Sequence, residues 1–248
     1  MKGLATMTDV PKLIREFAPT GRLRVALNHG NRVLVGRDDK GKPFGISVDL
    51  ARDLAAHLGP ALDFVEYERA VDVSSSATSG LWDVCFLAVD PGRAKTIAFT
   101  APYVRIEGCY LASASCTAAD AGALVALGLP VGSVKGSAYS LTLQRKPGAE
   151  NLVMFEDIFA ALGALDRGEV AAIAGIRQAM EGEAQKRPGS RVLQPPFMEI
   201  RQAMAMPQGR PAASAALADF LDEALHRGRV ADILQAYGVA RDCAIVPD

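Results

Sequence analysis

Residues Gly80–Tyr103, GLWDVCFLAVDPGRAKTIAFTAPY, decide the fold. Val84, Cys85, Phe86, Leu87, Ala88 and Val89 form a short, unbroken apolar run, the pattern of a strand covered on both faces in a parallel sheet. Asp90 is a good helix N-cap. Pro91 suits the first helical position, because its missing N–H has no intrahelical partner there. The spacing therefore predicts a helix starting at the strand's carboxyl end, where ligands bind in open α/β sheets and where free N–H groups favour negative charge. Arg93 adds a planar fork able to grip a carboxylate or phosphate. A second reading stands beside this one, in which Arg93 pairs with Asp90 or Asp83 at the surface.

The same theme continues on either side. LRVAL (Leu23 to Leu27) reads as a strand ending at Asn28-His29-Gly30-Asn31, which makes Asn28 and His29 candidate ligand contacts. Val48, Ala51, Leu54, Ala55 and Leu58 recur at helical spacing until Gly59-Pro60 stops them. LDFVEY is a strand and VDVSSSATSG a short helix, giving the β-α-β-α order of an α/β protein. Farther on, Glu107 to Ser115 is a strand. PVGSVKGSAYSLTL then repeats strand, glycine and helix start, with Ser137 at the N-cap and Ala138 following. NLVMF, the helix Asp157 to Asp166, and the strand VAAIAG ending at Ile176-Arg177-Gln178 come next. RVLQP and EIRQAMAMP are further strands, and two apolar helical patterns broken at Gly228 close the chain. No low-complexity linker separates the halves, so strands are expected to join them.

At 248 residues, 50% hydrophobic and 22% charged, the chain can bury a large core as one large domain or two small ones. A net charge of -1 argues against a nucleic-acid surface. No apolar run is long enough to span a bilayer. The start MKGLATMTDVPKLIREFAP lacks the apolar core of an export signal, so as written the chain reads as cytoplasmic; an upstream leader missing from it would make it periplasmic. Cys85, Cys109, Cys116 and Cys243 show neither zinc nor disulfide-framework spacing. His57 and His226 lie near helix ends and read as structural. No metal set or cofactor loop is visible.

In order and motif the chain resembles the extracellular solute-binding proteins of polar amino-acid ABC transporters, which have the type II periplasmic-binding-protein fold. The resemblance runs from about Leu23 to Gly238 and is carried by GISVDLARDLAAHLG, GLWDVCFLAVDPGRAKTIAFTAPYV, VKGSAY, GEVAAIAG and HRGRVADILQAYG. It implies an α/β, two-lobed fold in which each lobe is a mostly parallel sheet flanked by helices, joined by two crossing strands. Residues 1–108 with 205–248 would form lobe 1, and residues 109–204 lobe 2. It also implies that Arg93 grips the ligand's α-carboxylate, that the Ala88 backbone touches the ligand, and that Ser137 and Ala138 form the second lobe's carboxylate-binding helix start.

Three departures from the family pattern stand out. Asp90 replaces the usual threonine, the acid that usually binds the ligand's ammonium falls on Gly175 or Ile176, and the usual aromatic residue near the first strand falls close to Val33. With the ammonium clamp incomplete, Asp90 is a candidate cation-binding group, and Arg177 and Gln178 are new donors. A ligand with two or more anionic or hydrogen-bonding groups suits Arg93, Arg177, Ser137 and Gln178. The competing reading has Arg177 paired with Glu181 at i+4.

Two main functions follow. One is a solute-binding protein that clamps a small polar or anionic molecule, amino-acid-like or carboxylate-bearing, between lobes that close by hinge motion, as the substrate-binding component of an ABC permease. The other is a cytoplasmic lyase resembling cyclohexadienyl dehydratase, with Asp90, Glu107 and His29 as acid-base candidates. A regulatory ligand-binding module is a third, and it lacks an output domain in this sequence.

Overall fold

The computed structural model describes residues 10–247, so the sequence reading of residues 1–9 lies outside the described part. In chain order the elements are α1 (Val10–Phe17), β1 (Arg22–Asn28), β2 (Gly36–Arg37), β3 (Pro43–Phe44), α2 (Ile46–Leu58), β4 (Ala61–Tyr67), α3 (Ala70–Ser75), β5 (Val84–Ala88) and β6 (Ile97–Ala112). They continue with α4 (Ala121–Ala126), β7 (Val131–Val134), α5 (Ala138–Leu143), β8 (Leu152–Phe155), α6 (Ile158–Asp166), β9 (Ala172–Ile176), α7 (Arg177–Gln185), β10 (Arg191–Val192), β11 (Met198–Pro207), α8 (Pro211–His226) and α9 (Arg229–Ala236).

The chain divides into two compact units. Unit 1 takes the described residues up to 68, then 72–104 and those from 202 onward; unit 2 takes 69–71 and 105–201. The long strands β6 and β11 carry the chain from one unit to the other. Glu107, placed in the first lobe on sequence, falls in unit 2.

In unit 1 the strand order is β4-β1-β5-β11, with β1 parallel to both β4 and β5 and β11 antiparallel to β5. Every residue of β5 is buried, as its continuous apolar run requires, whereas β4 at the sheet edge is only half-buried. Helix α2 covers this sheet because Ile46, Val48, Leu50, Ala51, Leu54 and Ala55 recur on one face and pack toward β1 and β4. Burying each of the larger of these side chains contributes about 1.5–3 kcal/mol. Gly45 starts α2 at φ 123°, and a Cβ there would lie 2.6 Å from the Leu34 carbonyl oxygen, so no other residue fits. Gly59 ends the helix in the left-handed conformation, its N–H donating to Ala55.

A buried carboxylate ties the sheet's amino-terminal edge to the helices. Asp83, at 0% exposure, accepts from the Arg24 backbone N–H, from Arg24 Nε and Nη2, and from Arg210 Nη1 at 2.9–3.1 Å. Arg210 Nη1 also donates to the Glu16 carbonyl, and the Glu16 carboxylate accepts from the Ala213 N–H. Strands β1 and β5 and helices α1 and α8 thus meet at one carboxylate.

Unit 2 has the strand order β6-β9-β7-β8, with β7 parallel to β8 and β9, β6 antiparallel to β9, and β10 on the other side of β6. Its core packs Leu111, Leu162, Leu165, Ile173 and Met180 between sheet and helices. Ser137 caps α5 through the Ser140 N–H at 3.1 Å, as the sequence predicts, and Asp157, read as the first residue of its helix, caps α6 through the Ala160 N–H at 2.9 Å.

The helix expected after Pro91 is not an α-helix. The chain makes a three-residue 3-10 turn, Arg93–Lys95, and re-enters the sheet at Ile97, which leaves room for one turn only.

All four cysteines are free. Burial pushes the Cys85 thiol far above its ordinary pKa, against the opposing charge of Arg93. Burial likewise pushes Cys109 up to about 12, with Arg177 opposing. A thiol reagent should therefore label half-exposed Cys243 first in the native protein and reach Cys85 and Cys109 only on unfolding, which stopped-flow absorbance with and without denaturant would measure. Asp83→Ala should destabilise the protein by about 3 kcal/mol, the low end for breaking a buried ion pair, because Arg24 and Arg210 keep 19% of their side-chain surface in water. Urea unfolding would read it, and a midpoint equal to wild type would show that the cluster adds nothing.

Candidate functional site

Because β1 and β5 are parallel neighbours, their carboxyl ends share one edge of unit 1's sheet, and antiparallel β11 starts its path along β5 at that edge. Three chain segments converge there: the Asn28–Asn31 turn, the Ala88–Arg93 junction and Gln202. Arg93 is only 6% exposed, and its Nη1 donates to the Ala88 carbonyl at 3.1 Å. Desolvation lowers its pKa and the charge of Asp90 opposes that shift; an arginine so placed is still a cation at neutral pH. Arg93 is buried rather than at the surface and Asp83 binds Arg24 and Arg210 instead, so of the two acids weighed as its partner only Asp90 lies close enough for its charge to act on Arg93.

Asp90, 5% exposed, folds back on its own turn. Its Oδ1 accepts from the Gly92 N–H at 2.8 Å and the Arg93 N–H at 3.2 Å, while its carbonyl accepts from Ala94. The N–H groups that the sequence offered to an anion are thus taken by Asp90, and the Ala88 carbonyl is taken by Arg93.

On the neighbouring turn, Asn28 Oδ1 accepts from the Gly30 N–H at 3.1 Å, so this side chain shapes its own loop. His29 is buried, with Nε2 2.8 Å from Glu66 Oε2, and Arg37 Nε donates to the same oxygen at 3.0 Å. Parallel pairing of β1 with β4 sets Glu66 opposite Leu27, beside His29. Asn31 is 5% exposed, and its Oδ1 has no hydrogen-bond partner among the described residues.

In unit 2, Ser137 Oγ is engaged as a cap, and Ala138 opens α5 half-buried. Arg177 opens α7. Its Nε donates to the Glu107 carboxylate, its Nη2 to Gln194 Oε1 at 3.1 Å, and its Nη1 lies 3.5 Å from Glu181 Oε1. Desolvation lowers the Arg177 pKa, but the hydrogen bond and charge of Glu107 outweigh it and leave the group above the ordinary arginine value. The Glu181 pairing weighed on sequence is therefore present, together with a nearer acid. Gln178 is exposed. At Gly175 an added Cβ would lie 2.7 Å from Met180 Sδ and Cε, so the space that an acidic side chain there would need is filled by sulfur and methyl.

The structure brings Asn28, His29, Ala88, Asp90 and Arg93 to one edge of unit 1, and Glu107 to Arg177 in unit 2. Sequence reasoning missed Glu66, Gln194 and Gln202. The first two are partners created by strand pairing and loop packing. Gln202 carried one signal: it is a lone amide just before the buried apolar run Ala203–Met206. The groups weighed for acid-base work are each tied to neighbours: Asp90 to its turn, His29 to Glu66, and Glu107 to Arg177. Among the described residues no group of three or more His, Cys, Asp or Glu is placed to hold a metal ion, and no helix is long and apolar enough to cross a membrane.

The chain is similar to solved structures of amino-acid-binding proteins. A solute receptor for L-cysteine of Neisseria gonorrhoeae superposes with a TM-score of 0.80 at 19% identity, over 94% of this chain and 99% of that one. Holo ArgBP from T. maritima gives 0.71 at 21% identity over 84% and 92%. An ancestral amino acid-binding protein that is a precursor of cyclohexadienyl dehydratase gives 0.75 at 19% over 90% and 98%. These likenesses show the type II periplasmic-binding fold. Comparison with curated proteins returned no match. The profile of one family matches residues 23–240, nearly the whole described chain, and the protein belongs to the bacterial extracellular solute-binding proteins, family 3.

Proposed function

We propose that this ligand-binding protein takes a small carboxylate-bearing solute of amino-acid size, that Arg93 holds the carboxylate, and that the protein serves as the substrate-binding component of an ABC-type importer outside the cytoplasm. The observation that carries the reading is the placement of Arg93: a guanidinium 6% exposed at the carboxyl end of a buried parallel strand. Burying such a group costs stability, which a bound carboxylate would offset. In low-dielectric surroundings its attraction for a carboxylate is several times stronger than in water.

The holding step is simple. Asp90 closes the turn through two backbone N–H groups and so fixes where Arg93 leaves the chain. The Ala88 carbonyl then orients the guanidinium through Nη1. A planar fork so fixed loses little freedom when a carboxylate meets it. The amino-acid-binding relatives of this fold support the solute class, and the family's extracellular character supports the location.

A thermal-shift panel of the twenty L-amino acids and the short dicarboxylates tests the reading. A ligand present at about 100 times its Kd stabilises the folded state by about 2.7 kcal/mol. Arg93→Ala should abolish the shift and Arg93→Lys should retain only part of it, because an ammonium cannot form the paired bonds of a guanidinium. An equal shift in wild type and in a folded Arg93→Ala protein would remove Arg93 as the anchor.

A further inference from the structure

We propose that Gln202 is a specificity-determining residue of the Arg93 site, and that the ligand presents to it a neutral hydrogen-bonding group beside the carboxylate. The inference rests on the reading of Arg93 as the carboxylate anchor.

Gln202 is 5% exposed. The buried charged groups of unit 1 have identified tasks: Asp83 holds two arginines, Asp90 closes its turn, and Arg93 donates to Ala88. The Gln202 amide makes no hydrogen bond to a described residue, and it is not fully enclosed: the small exposed part of the residue leaves it in contact with water at this edge. Holding an amide mostly out of water without a protein partner costs stability. Every following residue of β11 from Ala203 to Met206 is apolar and buried, as is every residue of β5 opposite. A methionine would serve the sheet better.

The place of Gln202 supplies the reason for an amide. Antiparallel pairing sets it directly across from Ala88, Ala203 across from Leu87, and Met204 across from Phe86. Residues directly opposite in such a pair project to the same face, about 5 Å apart. Ala88 is the residue whose carbonyl receives the Arg93 guanidinium. Gln202 therefore stands one strand away from the anchor, at the edge where β1 and β5 end.

An amide there brings one acceptor and two donors without charge. It complements a hydroxyl or an amide, and it penalises a ligand that offers only hydrocarbon at that point, because the ligand would then cover the amide and leave it unpaired.

Isothermal titration of wild type, Gln202→Met, Gln202→Glu and Arg93→Ala with L-glutamine, L-arginine, L-cysteine and succinate, together with melting of each ligand-free protein, tests this. Gln202→Met keeps the side-chain length and removes the amide, so the ligand-free protein should melt no lower than wild type while the tightest probe binds about tenfold more weakly. Gln202→Glu sets a negative charge beside the bound carboxylate and should weaken the same probe by about a hundredfold or more. If Gln202→Met binds that probe with wild-type affinity while Arg93→Ala loses it, the inference about Gln202 falls and the reading of Arg93 stands. If Arg93→Ala binds as wild type, the reading itself falls. A lower melting temperature with unchanged affinity in Gln202→Met would make Gln202 a structural residue, and no binding of any of the four probes at millimolar concentration would equally overturn the proposal.

Discussion

Unit 1 is organised by the buried carboxylate of Asp83. It stands just before β5, accepts from Arg24 at three points and from Arg210 at one, and so fixes the amino-terminal edge of the sheet to α8 and, through Glu16, to α1. A charge with no exposure is tolerable only when its lone pairs are filled, and here they are. The consequence reaches the opposite edge. With the strands registered from below by a polar clamp and between faces by apolar packing, their carboxyl ends are held firmly enough to carry groups that cost the fold stability: an arginine in low dielectric, an asparagine with a buried oxygen lacking a partner, and a mostly buried glutamine. Stability is concentrated at one end of β5 and polar groups that weaken the fold at the other.

Much of this was legible in the chain. The run Val84–Ala88 could only be a covered strand, because no alternation of polar residues offers it a wet face. The stripe on α2, the Gly59 stop and the cap at Ser137 follow from spacing and side-chain chemistry within a few residues, and local signals of that kind are read directly from sequence. Family motifs added the order of the two halves. The 3-10 turn at Arg93 was not legible, since Asp90-Pro91 is an equally good start for a longer helix and only the return to the sheet at Ile97 cuts it short.

What escaped the sequence is what strand register decides. Glu107 meets Arg177 because β6 and β9 pair with Gly108 opposite Ile176, which sets the residues just beyond that pair side by side. Residues 70 positions apart carry no mark that they will form an ion pair. In the same way Gln202 meets Ala88 through β5 and β11, and Glu66 comes beside His29 through β1 and β4. Each of these facts is a single integer, the offset of one strand on another. A shift of one residue would turn every side chain concerned to the other face.

The register also changes how Asp90 is understood. On sequence it competed with any anion for Arg93 and offered itself to a cation. In the structure its Oδ1 is occupied by the two N–H groups that shape the turn. A carboxylate accepting backbone N–H groups is a better turn-former than the hydroxyl of a threonine, because the bonds are charge-assisted. Asp90 therefore strengthens the seat of Arg93 while partly balancing its charge. The space at Gly175 is closed by Met180, so no side chain there can offer a carboxylate to a ligand ammonium. On the proposed reading, discrimination in unit 1 then depends on one oriented guanidinium and on neutral groups beside it. Neutral groups discriminate by leaving themselves unpaired when the wrong molecule enters, a penalty that grows with burial, and Gln202 is buried as deeply as Asp90.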